Sequence, residues 1–171
     1  MTRLRTQLVG ALTLALILTL CLLAACTKDS GAPVGKAGAK LETLDMPGIE
    51  KHFAQNKGKV TLVMFWATWC PACKTELPVL EQLRAKYPED KLDILAVSVD
   101  DTEAAMRTFL ESRPTSLTVY LSKADVGSEF GVKSIPSLFI LDKNSQVAFN
   151  SSGAYPIEML DSVISELVKG S

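Results

Sequence analysis

The chain has 171 residues, 47% of them hydrophobic, and a formal net charge of −1. That is enough for one domain of ordinary size with a real core. The charge balance points to neither a nucleic-acid partner nor an acidic surface, and no internal repeat is visible.

The first 25 residues read as a targeting segment. Arg3 and Arg5 precede an uncharged apolar run over residues 8–25, the pattern of an export signal. The run lies at the short edge of what spans a bilayer, so a cleaved signal, an uncleaved anchor and simple secretion all stay open. Leu23-Ala24-Ala25-Cys26 resembles a bacterial lipobox, in which small residues precede a cysteine that is lipidated and becomes the new N-terminus. Cys21 competes, but Leu20 before it is too large for that pattern. On this reading residues 1–25 are a lipoprotein signal peptide, Cys26 carries the lipid, and the membrane is a partner through that anchor. All three readings deliver the domain outside the cytoplasm, to the periplasm or outer surface of a bacterial cell. Removing residues 1–25 takes away Arg3 and Arg5, so the 18 basic residues fall to 16 against 19 acidic ones. Cys21 goes too, and with Cys26 acylated the thiols left are Cys70 and Cys73.

Residues 26–40, rich in Gly, Ala, Lys and Ser, read as a flexible tether, and residues 41–171 as the domain. Leu41–Met46 suggests a short edge strand and Pro47–Asn56 a short helix closed by Lys57-Gly58. Lys59–Trp66 is a nearly continuous apolar and β-branched run, as in a strand buried on both faces. Residues 71–87 place Leu77, Leu80, Leu83, Ala85 and Tyr87 among charges, which predicts an amphipathic helix with Pro78 inside it. Leu92–Val99 is a second buried strand. Thr102–Ser112 is a helix that Asp101 is placed to cap. Leu117–Leu121 is a short strand or extended segment, and Ala124–Phe130 a short helix before Gly131. Ser137–Leu141 and Gln146–Asn150 form a hairpin across Asp142-Lys143-Asn144-Ser145. Pro156–Val168 is a final helix with Ile157, Leu160, Ile164 and Leu167 on one face. The order predicts an α/β fold, a mixed central sheet with helices on both faces.

The chemistry-bearing stretch is Phe65-Trp66-Ala67-Thr68-Trp69-Cys70-Pro71-Ala72-Cys73. It falls where the first buried strand ends and its helix begins, and sites in such folds gather at the carboxyl ends of strands. A structural zinc needs four ligands, and beyond carboxylates two cysteines and His52 are all that remain. Copper delivery also wants a histidine partner, and His52 lies on a polar helix where a solvated role is expected. Covalent haem attachment would need His directly after Cys73, where Lys74 stands. A structural disulfide across so small a loop would constrain the unfolded chain little. A redox-active dithiol is left. Cys70 falls at the N-cap of a helix, where unpaired N–H groups and the helix dipole favour a thiolate. Pro71 at the first helical position presets the turn. Lowering a thiol pKa from about 8.5 to about 7 raises its thiolate share at pH 7 from roughly 3% to about half. Cys70 is therefore the expected attacking thiol. Cys73, one turn on, is expected to be more buried and to resolve the mixed disulfide.

Trp-Cys-Pro-Ala-Cys after a buried strand, with Pro78 five residues beyond the second cysteine, resembles the thioredoxin superfamily. Gly131-Val132-Lys133-Ser134-Ile135-Pro136 is similar to that family's segment with a cis proline facing the dithiol, and Phe139-Ile140-Leu141-Asp142 to the strand that follows. Within the superfamily the chain resembles the membrane-tethered TlpA/ResA-type thiol-disulfide oxidoreductases. The likeness covers about residues 40–169. It implies a thioredoxin-like fold, a cis Pro136 beside the thiols, and Ile135 on the substrate surface. Thioredoxins carry an aspartate six residues before the first cysteine, and Met64 stands there instead. Glu76, three residues after Cys73, matches an acidic position of the ResA-type branch and is the candidate to move a proton to or from Cys73. The alternative for Glu76 is a solvent-facing acid in the early turns of the helix. Trp66 is expected in the core. Trp69, Pro71 and Ala72 are expected on the substrate surface, and Lys74 either adds positive potential or is solvated.

The leading expectation is an exported, membrane-tethered reductase of client protein disulfides. The resemblance adds apocytochromes c before haem attachment as possible clients, and a membrane thiol-transferring protein as electron donor. Pro71-Ala72 between the cysteines, with no His or Arg near, argues against a strongly oxidising pair. The alternatives are an oxidant that introduces disulfides, a metal-carrying or binding module on the same fold, and a peroxidase, for which a thioredoxin-type pair is not the usual arrangement. No cofactor and no bound metal are expected, and the domain is expected to be a monomer.

Overall fold

The computed structural model describes residues 41–100 and 102–170. The expected signal segment, Cys26 and the expected tether lie outside the described residues. Among the described residues no helix is long and apolar enough to cross a membrane.

In chain order the elements are β1 (Glu42–Leu44), α1 (Met46–Gln55), β2 (Val60–Trp66), α2 (Pro71–Lys86), β3 (Leu92–Ser98), α3 (Glu103–Ser112), β4 (Thr118–Ser122), α4 (Ala124–Glu129), β5 (Ser137–Leu141), β6 (Val147–Ser152) and α5 (Ile157–Lys169). They make one sheet in the order β1-β4-β3-β2-β5-β6. The first four of these strands run parallel, and β5 pairs antiparallel with both β2 and β6. This is the mixed sheet expected, and β1 and β6 are its edges.

Alternation along β2 builds two cores. Val60, Leu62, Met64 and Trp66 face one side with Leu80 and Leu83 of α2, Met106 of α3 and Leu160 and Ile164 of α5. Val63 and Phe65 face the other with Ile49 of α1, Val126 of α4, and Phe139 and Leu141 of β5. Every residue of β2 is buried, which is why the run reads as continuously apolar.

Two local readings need correction. The cap of α3 is Thr102, whose hydroxyl accepts from Ala105 N–H at 3.2 Å. Asp101 lies outside the described residues. A residue at the N-cap must accept from the third helical position, and the helix starts one residue later than Asp101 would require. His52 is only partly solvated and has a partner on the sheet. Its Nε2 lies 2.6 Å from Asp93 Oδ2, and its ring stands edge-on to Tyr120 with centroids 6.3 Å apart. Helix α1 lies on the sheet face, so a residue polar in sequence still meets the neighbouring strand.

Candidate active site

β2 ends at Trp66 and α2 starts at Pro71, so four residues carry the chain from strand to helix. That turn is tied to the end of β3. Val99 N–H donates to Trp66 O at 2.8 Å. Thr68 donates to the Asp100 carboxylate twice, from its N–H at 2.9 Å and its hydroxyl at 2.6 Å. The Ser98 hydroxyl donates to Asp100 Oδ2 at 2.6 Å and accepts from Asp100 N–H at 3.0 Å. Asp100 is buried, yet its side chain is paired on both oxygens. Buried carboxylates persist where such donors replace water.

Cys70 is the N-cap of α2, and its Sγ accepts from Cys73 N–H at 3.2 Å. Pro71 occupies the first helical position, where a missing N–H costs nothing. Cys70 and Cys73 are joined in a disulfide, with Cα atoms 5.3 Å apart. Cys70 keeps 5% of its surface exposed and Cys73 none. An incoming sulfur or thiolate therefore has access from the Cys70 side.

The loop between α4 and β5 faces the disulfide. Ile135 O lies 3.8 Å from Cys70 Sγ, and the Ile135–Pro136 peptide is cis. Ser137 Oγ donates to Ser134 O at 2.7 Å, and Gly153 N–H donates to Pro136 O at 2.8 Å. Gly153 has φ 109°, a conformation glycine adopts without the clash a Cβ would bring. Among the described residues the Ile135 N–H has no partner.

Glu76 lies one helical turn beyond Cys73, on the same side of α2. It is 1% exposed, so the solvent-facing alternative does not hold. Oε2 accepts from Tyr155 N–H at 3.1 Å, whereas Oε1 is buried with no partner among the described residues. Burial pushes its pKa above the ordinary glutamate value, and the Tyr155 N–H offsets part of that. It is an acid that holds its proton more readily than a surface glutamate.

The remaining predicted residues fall as follows. Trp69 is 64% exposed, and Pro71 and Ala72 are exposed beside it, so these three form an open lip around Cys70. Trp66 is fully buried. Lys74 is half-buried, with its Nζ 5.9 Å from the centre of the Phe109 ring. Sequence reading missed the positioning role of Asp100 and the backbone of Tyr155. The first left a signal, an acid at the carboxyl end of the strand beside the dithiol strand. The second left none, because a main-chain N–H has no residue signature. Among the described residues no group of three His, Cys, Asp or Glu side chains is placed to hold a metal.

A strand, a capped dithiol and a facing cis proline, in that order, are features that known proteins share. A family model described as thioredoxin-like matches residues 58–147. The chain belongs to this family. It is 28% identical to the thiol-disulfide oxidoreductase ResA of Bacillus thuringiensis over 142 residues, covering 82% of either chain. A solved structure from Chlorobium tepidum, assigned as a thiol:disulfide interchange protein DsbE, is 30% identical with TM-score 0.64, covering 67% of this chain and 84% of that one. StoA from Bacillus subtilis is 25% identical with TM-score 0.58, covering 64% and 85%. This thioredoxin-like protein is a thiol-disulfide oxidoreductase whose redox pair is Cys70 and Cys73.

Proposed function

We propose that the protein works as a reductase of disulfides in client proteins, outside the cytoplasm, with Cys70 as the attacking thiol. The observation that carries this is Cys70, at a helix N-cap and 5% exposed, against a fully buried Cys73. The Cys70 thiolate attacks one sulfur of the client disulfide. A Cys70–client mixed disulfide forms, and the other client sulfur leaves as thiolate. Cys73 then loses its proton and attacks Cys70 Sγ. The Cys70–Cys73 disulfide forms, the second client thiolate leaves, and two electrons have passed to the client. Glu76 is the group proposed to exchange the Cys73 proton, since it is one turn away, buried and of raised pKa. The client's backbone would pair in strand fashion with Ile135 across the lip of Trp69, Pro71 and Ala72. Apocytochromes c are the client class that the resemblance to ResA-type proteins suggests.

Support for the reducing direction comes from what surrounds the sulfurs. A strong oxidant needs its reduced thiolate heavily stabilised. Here Pro71 and Ala72 separate the cysteines and bring no charge, the nearby Lys74 leans on Phe109, and Glu76 adds no positive field. A dithiol that works reduced in an oxidising compartment must be reloaded by a thiol donor across the membrane. Equilibration with glutathione buffers is expected to give a potential nearer thioredoxin, at about −270 mV, than the strong oxidants at about −120 mV. In the same assay Cys73→Ala is expected to trap client proteins on Cys70, and Cys70→Ala to trap few. A value close to that of the strong oxidants would reverse the direction of flow.

We propose in addition that Cys26 carries a lipid after residues 1–25 are removed, and that residues 26–40 tether the domain to the membrane. The lipobox-like Leu23-Ala24-Ala25-Cys26 supports this. Mass spectrometry of the mature protein is expected to find acyl chains on Cys26, and Cys26→Ala to leave an unlipidated precursor. An unmodified mature N-terminus at any other residue would refute the anchor.

A further inference from the structure

A second concave feature lies beside the dithiol helix. Helices α2 and α3 and the chain after α3 enclose a groove of ≈ 250 Å³. Its apolar lining includes Trp66, Leu77, Phe109 and Leu110, and Lys74 and Arg113 add positive charge. Three features make it unlike ordinary helix–helix packing. Phe109 and Leu110 are left half-buried, so apolar surface stays in contact with water. Neither Lys74 nor Arg113 has a carboxylate partner among the described residues. The indole Nε1–H of Trp66, fully buried, has no acceptor there either. Most buried polar groups are paired, so the wall behind the groove is not packed to satisfaction as an ordinary core is. The groove's own acid, Glu81, is engaged by the Thr115 hydroxyl at 2.6 Å. Glu81 stands two helical turns beyond Lys74, about 10 Å along the axis, which leaves positive charge at the end nearer the dithiol.

We infer that this groove is a specificity site for an acidic, apolar segment of the polypeptide whose disulfide meets Cys70. The inference rests on the thiol-disulfide exchange proposed above. A bulky apolar side chain would cover Phe109, Leu110 and Leu77, and an adjacent Asp or Glu would neutralise Lys74 and Arg113. The chain as a whole is slightly acidic, so the basic pair is a local feature that selects for negative charge. Cys70 and Leu77 are separated by about 10 Å along α2 at 1.5 Å per residue. About three extended residues span that length, so the apolar–acidic pair belongs three to four residues from the client cysteine.

The test compares two short peptides that differ only in charge. Each carries a cysteine in mixed disulfide with a small thiol, then Phe four residues away, flanked either by two Asp or by two Lys. The full chain, kept reduced, is expected to cleave the Asp peptide with a kcat/KM about tenfold above that of the Lys peptide. Arg113→Glu, at an exposed position, is expected to bring that ratio to about one. In the ¹⁵N-labelled full chain a Cys→Ser version of the Asp peptide is expected to shift the Trp66 indole resonance, assigned by its persistence in Trp69→Phe. A ratio near one in the wild type, or a tenfold ratio that survives Arg113→Glu, would overturn the groove. So would a Trp66 resonance that the peptide leaves in place. A small aromatic disulfide separates the two readings. If the wild type cleaves it but does not discriminate between peptides, the groove fails and exchange stands. If the wild type leaves it intact while the peptide still moves Trp66, exchange fails and the groove stands.

Discussion

The two ends of α2 solve the same problem in opposite ways. At the carboxyl end the polar groups lie at the rim of the core, partly in solvent, and are paired. Arg84 donates to Leu92 O at 2.8 Å and to Tyr87 O, and Asp161 of α5 accepts from Lys86 at 2.6 Å and from Tyr87 at 2.7 Å. The pairing with Lys86, then Tyr87, lowers the Asp161 pKa. Burial, with Asp161 beside it, pushes Tyr87 up to about 12. At the amino end the polar groups are drawn in and left open. Among the described residues Glu76 keeps one oxygen without a partner, and the donor to Cys70 Sγ is the N–H of Cys73. Net stability comes from satisfied pairs, whereas an unsatisfied buried group costs stability, and perturbed groups of that kind cluster at functional sites.

The largest break in this contrast should come from Asp100, the one amino-end group that is paired like those at the far end. Asp100→Ala leaves the Thr68 N–H and two hydroxyls without their acceptor. Each buried donor so stranded costs about 1–3 kcal/mol. Urea unfolding is expected to show a loss of at least that size. Disulfide cleavage is expected to slow as well, since the turn that presents Cys70 is no longer tied to β3. Asp100→Asn keeps an acceptor oxygen and is expected to recover part of both. Unchanged stability in the alanine variant would mean that the turn holds itself.

Smaller and of opposite sign are the pH responses of Glu76 and Asp161. Glu76 has its folded pKa raised by burial, so the folded state holds the proton longer than the unfolded chain does. Its contribution is favourable below the ordinary value of 4.5 and is lost as pH rises through the raised one. Glu76→Gln removes that loss. The melting temperature of the variant relative to wild type is expected to climb as pH rises from 4.5 toward neutrality, and the pH dependence of disulfide cleavage to flatten. Asp161 has a lowered folded pKa. Its contribution is present above the unfolded value of 3.8 and is lost as pH falls through the lowered one. Asp161→Asn should cost about 0.5–1 kcal/mol at neutral pH, the range of a partly exposed pair, and nothing in strong acid. Its exchange rate is expected to match wild type. Thermal unfolding of both variants across pH checks the two signs together, and parallel curves would erase the distinction between the two ends.

The elements, their order and the redox pair were all legible in the sequence. β2 is buried on both faces, and a nearly continuous apolar and β-branched run such as Val60–Trp66 can fill two cores at once. The dithiol announced itself because cysteines next to a helix-starting proline have few other uses. Tertiary structure alone decided the fate of the acids and of His52. Glu, Asp and His read as surface residues by type, and what changes them is the element that happens to pack over each one. Tyr155 N–H reaches Glu76 from 79 positions away, Thr68 reaches Asp100 from 32, and His52 reaches Asp93 from 41. Hydrophobic periodicity is a local property that chain geometry imposes, so it survives in the sequence. The desolvation and pairing of a single polar group depend on distant partners, and only the folded chain brings those together.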